Sequence, residues 1–176
     1  MQTKLKIVVS GPESVGKSTL TRQLAEYFNA SYVDEIARDF IAKLDREYTK
    51  QDVLAIAKLQ IKAEQYFKES DSRLLILDTD LIITKVWLRR VFNDIPDWID
   101  KHLESEKADL HLLCYPDLPW EPDPLRENPN IREDLFDEYM DEISNLDIPY
   151  FVIKGQNGER LKAAIKLVDE FIKNKL

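Results

Sequence analysis

Cysteine is nearly absent from this chain. Cys114 stands alone, so no internal disulfide can form, and its place in an apolar run marks it as a small core residue. Histidine is almost as scarce: His102 and His111 show no metal-ligand spacing with the cysteine or with any acidic partner and read as structural. Basic charge is in deficit, 25 Lys and Arg against 33 Asp and Glu, a net charge of −8. That balance argues against non-specific binding to nucleic acid. No apolar run is long enough to cross a bilayer, and the amino terminus lacks a signal-peptide apolar region. The expectation is a cytoplasmic protein that works on neither nucleic acid nor a membrane. Glycine is the last shortage, with four in 176 residues, and this one is informative because two of the four fall in a single motif.

That motif is Gly11-Pro12-Glu13-Ser14-Val15-Gly16-Lys17-Ser18, which matches the phosphate-binding loop G-x-x-x-x-G-K-[ST]. An aliphatic, strand-like segment, Leu5–Val9, precedes it, and a helical pattern from Ser18 to Phe28 follows. Strand, loop and helix is the context the motif requires. By chance it would occur in roughly 0.6% of chains this long, and a glycine-poor chain makes chance a weaker account still. Consecutive backbone N–H groups, reinforced by the positive end of the following helix, favour an anion. Gly11 and Gly16 permit backbone angles and approaches that a Cβ would block. Lys17 reaches the β- and γ-phosphates, the Ser18 hydroxyl is placed to ligate Mg²⁺, and Thr19 is placed to meet the α-phosphate. ATP with magnesium is the predicted ligand, held by Gly11, Glu13, Ser14, Val15, Gly16, Lys17, Ser18 and Thr19.

The length suggests one domain, 1–176, with a sizeable core. Five strand candidates lie at Lys4–Val9, Ser31–Val33, Arg73–Leu77, Asp109–Tyr115 and Tyr150–Ile153. Each leads into helix-like sequence: Ile56, Leu59, Ala63 and Tyr66 recur at steps of three and four, as do Leu161, Ala164, Ile165 and Val168 near the end. Alternating strands and helices predict an α/β fold with a five-stranded parallel sheet covered on both faces. Every glycine then sits at the carboxyl end of a strand, the edge where open α/β sheets bind ligands, and Gly155 to Gly158 would flank the adenine. Five of the eight prolines crowd into Pro116–Pro129. This stretch cannot be a helix or a central strand. It is also too long for a routine connection, so it reads as a lid, about 116–130, carrying Trp120 and Arg126 opposite the phosphate loop.

Other chemical groups gather at the same edge. Leu74-Leu75-Ile76-Leu77-Asp78 is an apolar strand ending in a carboxylate, suited to hold Mg²⁺ beside Ser18. Asp80, two residues on, is either a second ligand or the cap of a helix over Leu81–Phe92. Asp34 and Glu35 follow the second strand; one would take the proton of an acceptor hydroxyl and the other would cap the next helix. Arg38, one turn later, would meet a phosphate or pair with Glu35. Arg126 would neutralise charge on the transferred phosphoryl group. Trp120 and Trp87 are ring candidates for stacking, Trp87 being better placed for the core because it shares a helix face with Ile83. No Asp stands three residues before a glycine, and no Asn-Lys-x-Asp segment exists, which excludes a GTPase switch. A short chain with a lid fits a small-molecule kinase, although a phosphate loop alone does not choose among functions.

Taken together, Gly11–Ser18, Glu35-Ile36-Ala37-Arg38-Asp39-Phe40, Leu77-Asp78-Thr79-Asp80 and Trp120-Glu121-Pro122-Asp123-Pro124-Leu125-Arg126 resemble the ribosylnicotinamide kinase domain of bacterial NadR-type proteins. The resemblance spans Leu5 to about Ile172. It implies ATP-dependent phosphorylation of nicotinamide riboside to nicotinamide mononucleotide, with substrate contacts from Glu35, Arg38, Asp80, Trp120 and Asp123. Three features depart from the family's pattern. Asp34 and Ile36 flank Glu35 where aromatic residues are usual, the lid reads Asp-Pro-Leu-Arg in place of Asp-Asp-Gly-Leu-Arg, and no H-x-G-H motif for adenylyl transfer exists in this chain. A kinase for another nucleoside or nucleoside monophosphate, and an ATP-binding regulatory module, remain the alternatives.

Overall fold

A computed structural model describes residues 4–156 and 158–175. The elements run β1 (Leu5–Ser10), α1 (Lys17–Phe28), β2 (Ser31–Val33), α2 (Ile36–Ile41), α3 (Lys50–Glu69), β3 (Leu74–Asp78), α4 (Leu81–Phe92), α5 (Asp97–Ser105), β4 (Leu110–Cys114), α6 (Arg132–Asn145), β5 (Tyr150–Ile153) and α7 (Glu159–Lys175). The five strands form one sheet in the order β2-β3-β1-β4-β5, and every pairing is parallel. The expected α/β architecture is therefore present, with strand positions within a residue or two of the sequence reading. The sequence reading had no counterpart for α5 and α6.

The inner strands are apolar at nearly every position because helices cover both of their faces. All five residues of β3 and all five of β4 are buried. Ile7, Leu77 and Leu112 are fully enclosed, and each such side chain contributes about 1.5–3 kcal/mol relative to exposure. One face packs Val8, Leu75, Leu77 and Leu113 against α3, α4, α5 and α6. The other packs Ile7, Val9, Ile76 and Leu112 against α1 and α7.

The strand order reverses around β1. The chain goes outward to β2 and β3 on one side, then returns to β4 and β5 on the other. In such sheets the ligand crevice opens at the carboxyl ends beside the reversal. The loop that leaves β1 for α1 lies there. It fits only because Gly11 lacks a side chain: its φ is +140°, and an added Cβ would sit 2.7 Å from the Cys114 carbonyl oxygen. Gly16, at φ +76°, then turns the chain into α1. Cys114 is buried, and its thiol is pushed up to about 11 by that burial, as a packing residue requires. Among the described residues, no helix is long and apolar enough to cross a membrane.

Candidate active site

A cavity of about 1100 Å³ opens along the carboxyl edge of the sheet. One end is the phosphate loop, where Gly11, Ser14, Gly16, Lys17, Ser18 and Thr19 line it. Glu13 and Val15 also reach it. The Lys17 ammonium donates to the Pro12 carbonyl at 2.7 Å, which holds the side chain curled over its own loop.

Asp78 ends β3 beside this loop and is completely enclosed. Neither of its carboxylate oxygens has a hydrogen-bond partner. Burial pushes its pKa up to about 6, while the neighbouring Lys17 charge and the Ser18 hydroxyl pull it down and Glu35 pushes it further up. A buried carboxylate with free oxygens, within electrostatic reach of a lysine and next to a serine hydroxyl, fits a divalent cation held between Ser18 and Asp78.

The two acidic candidates after β2 part company. Glu35 lines the cavity. Asp34 does not; its carboxylate accepts from Arg22 at 2.8 Å on the exposed side of the sheet edge. Asp34 thus stands in a surface ion pair, while Glu35 is the one of the two brought to the cavity. The capping role expected of one of them is also absent, since Glu35 is the N-cap of α2 but makes no side-chain cap bond. Arg38 lines the cavity, and its guanidinium pairs with Asp123 of the 116–130 segment rather than with Glu35. Hydrogen bonding to that arginine holds the Asp123 carboxyl below its ordinary range.

Asp80 plays the capping role and lines the cavity as well. Its Oδ1 accepts from the Ile82 N–H at 3.0 Å at the start of α4. Its Oδ2 lies 3.3 Å from Nε2 of His111, whose Nδ1 is 2.8 Å from the Ser10 hydroxyl. Nearby His111 and the cap bond outweigh desolvation and lower the Asp80 pKa.

The proline-rich segment between β4 and α6 contains no helix or strand and lies against the phosphate loop. The Ser14 hydroxyl accepts from the Glu121 N–H at 2.9 Å, and the Glu13 carboxylate accepts from the Asn128 N–H at 2.8 Å. Arg126 donates to Ser14 Oγ at 3.3 Å and to the Glu121 carbonyl, and it lines the cavity. Trp120 and Asp123 do not line it. The Trp120 ring packs against Arg132, with the guanidinium carbon 5.8 Å from the ring centre. Of the substrate contacts expected of the segment, neither Trp120 nor Asp123 is brought to the cavity wall.

The ring surface in the cavity comes from elsewhere. Trp87 and Tyr48 both line it, edge to face with centroids 5.0 Å apart. The indole N–H of Trp87 donates to Tyr48 Oη at 3.2 Å, and Tyr48 donates to the Glu127 carboxylate at 2.9 Å. Trp87 also packs against the core, as its shared helix face with Ile83 led one to expect. Tyr48, Tyr139 and Gln60 line the cavity without belonging to any motif. The only trace of Tyr48 in the sequence is its place just before the helix-starting Thr49.

The phosphate loop on a five-stranded parallel sheet, facing a cavity at the carboxyl edge, gives the chain the fold of the phosphate-loop nucleoside and nucleotide kinases. The chain belongs to the AAA domain family, whose model matches residues 6–160. The trifunctional NAD biosynthesis/regulator protein NadR of Salmonella typhimurium is 25% identical over 126 residues, covering 68% of this chain and 30% of that protein. The Escherichia coli NadR matches with the same identity and coverage. A crystal structure of NadR in complex with NR superposes with a TM-score of 0.77 at 25% identity, covering 96% of this chain and 51% of the other. These matches bear out the resemblance to NadR-type proteins, and the chain spans only part of their length. A deoxyadenosine kinase from M. mycoides shares the fold at a TM-score of 0.65 and 14% identity.

Proposed function

We propose that this chain phosphorylates nicotinamide riboside with ATP, giving nicotinamide mononucleotide and ADP, a step of NAD salvage. The observation that carries the reading is the continuity of one cavity from the phosphate loop to Glu35 and the Tyr48–Trp87 rings. The similarity to NadR solved with NR supports the choice of acceptor.

The phosphate loop would cradle the triphosphate through its backbone N–H groups, with Lys17 swinging from Pro12 to the β- and γ-phosphates. Ser18 and Asp78 would hold magnesium, which when bound neutralises phosphate charge. Glu35 would accept the proton of the riboside hydroxyl as its oxygen attacks the γ-phosphorus. The bond between that phosphorus and the β,γ-bridging oxygen breaks, and ADP leaves. Arg126 would offset the charge on the phosphoryl group in transit. Arg38 and Asp80 would position the riboside, and the 116–130 segment would act as the lid that excludes water. Catalysis is then positioning and charge neutralisation.

The test is ADP release from Mg-ATP with nicotinamide riboside, with the product identified by mass. Nicotinamide mononucleotide formed at a rate the Lys17→Ala variant does not support is the expected result. Phosphorylation of another nucleoside in preference to nicotinamide riboside would overturn the substrate. ADP release unchanged by every nucleoside and monophosphate would overturn the kinase reading.

A further inference from the structure

The end of the cavity between the loops that leave β4 and β5 holds a buried charged group. Arg160 lies in the first turn of α7 and is 8% exposed. Its guanidinium spends its donors on backbone: Nε donates to the Gly155 carbonyl at 2.9 Å, Nη1 to the Ile153 carbonyl at 3.3 Å, and Nη2 to the Tyr115 carbonyl at 2.7 Å. Nη2 also pairs with Oδ1 of Asp117. The other oxygen, Oδ2 of Asp117, accepts from the Gly155 N–H at 2.8 Å. Arg160 and Asp117 thus stitch together the loops that leave β4 and β5. The β4 loop continues one residue further to Leu118, whose methyl would lie 3.3 Å from a Cβ on Gly16. Leu118, Gly155 and Arg160 all line the cavity.

We infer that the Arg160–Asp117 pair positions the walls that grip the purine base of the donor nucleotide, next to the phosphate loop but apart from its phosphate contacts. Among the described residues, neither side chain hydrogen-bonds to the phosphate loop or to Glu35. The pair acts through the Leu118 and Gly155 backbone, whose separation it sets. Five polar contacts converge on one pair of loops. The inference rests on the donor site proposed above, and its test therefore reads binding rather than turnover.

The experiment compares the affinities of Mg-ATP and of magnesium tripolyphosphate, which has the phosphates without the base, by calorimetry. The wild-type chain, Arg160→Lys and Asp117→Asn are measured side by side. Both variants should lose about tenfold in affinity for ATP and keep their affinity for tripolyphosphate. Asp117→Asn is a milder, isosteric change on a partly exposed residue and remains informative where Arg160→Lys unfolds. Equal loss for both ligands, or no loss for either, overturns the inference. A wild-type chain that binds tripolyphosphate as tightly as ATP also overturns it while leaving the phosphate loop intact. Failure of the wild-type chain to bind either ligand would strike the donor site itself.

Discussion

Replacing Asp78 with asparagine should make the ligand-free protein more stable while disabling it. The reasoning starts from a carboxyl whose ordinary value is 3.8 and which burial pushes up to about 6. Between those values the folded state binds more protons than the unfolded state. Stability contributed by this site is therefore intact below about pH 4 and falls as pH rises, levelling off above about pH 6. The full penalty is about 3 kcal/mol near pH 8 and roughly half of that at pH 5. Asparagine has the shape of the neutral acid and carries no charge at any pH. Asp78→Asn should then gain about 3 kcal/mol at pH 8, or about 6–12 °C in Tm for a chain of this size. The gain should shrink by about half at pH 5. Thermal and urea melts at the two pH values measure it. A variant no more stable than wild type, or stabilised equally at both pH values, would refute the account of Asp78 as an unpaired buried charge. In the same melts, Mg-ATP should raise the Tm of the wild type far more than that of the variant, because the proposed metal loses its carboxylate.

The remaining predictions concern the loop and its acidic neighbours. Lys17→Ala should lower kcat by about 10²–10³ or more with an unchanged melting curve, since its ammonium bonds only one carbonyl of its own loop; near-normal turnover would remove it from the mechanism. Glu35→Gln should lower kcat by about 10²–10⁴. Asp34→Asn, at a surface ion pair, should stay within about twofold of wild type in steady-state assays, and the reverse ranking would reassign the base. Gly11→Ala should destabilise by at least about 1–3 kcal/mol from backbone strain alone. Its Cβ would also meet the Cys114 carbonyl at 2.7 Å, so a urea midpoint equal to wild type would contradict the loop path described.

The local code for this protein was legible wherever one chain segment contains the whole signal. The phosphate loop is such a case: its glycines, lysine and serine are consecutive, so the motif implied both the turn and the anion site. The strands were legible for a related reason. Burial on both faces leaves unbroken aliphatic runs such as Leu74–Leu77, and each run ends close to where the hydrogen-bonded strand ends. Helices α5 and α6 went unread because the first has nine residues and the second carries an acidic, weakly apolar sequence whose inward side only packing reveals.

What the tertiary structure decided is direction and partnership. Asp34 and Glu35 are adjacent and chemically alike, yet one faces Arg22 on the surface and the other the cavity. Trp120 and Arg126 lie on the same segment, yet only Arg126 turns inward. Tyr48 and Trp87 are 39 residues apart and become one ring surface only when α3 and α4 pack together. Arg160 and Asp117 meet because β4 and β5 are neighbours in the sheet. The sequence by itself determined the nucleotide-binding chemistry and the layered α/β fold, because both rest on residues close together along the chain. The wall of the cavity formed by Glu35, Tyr48 and Trp87 depended on the fold, because its parts are brought together only by long-range packing, and residue spacing does not encode which way a side chain points.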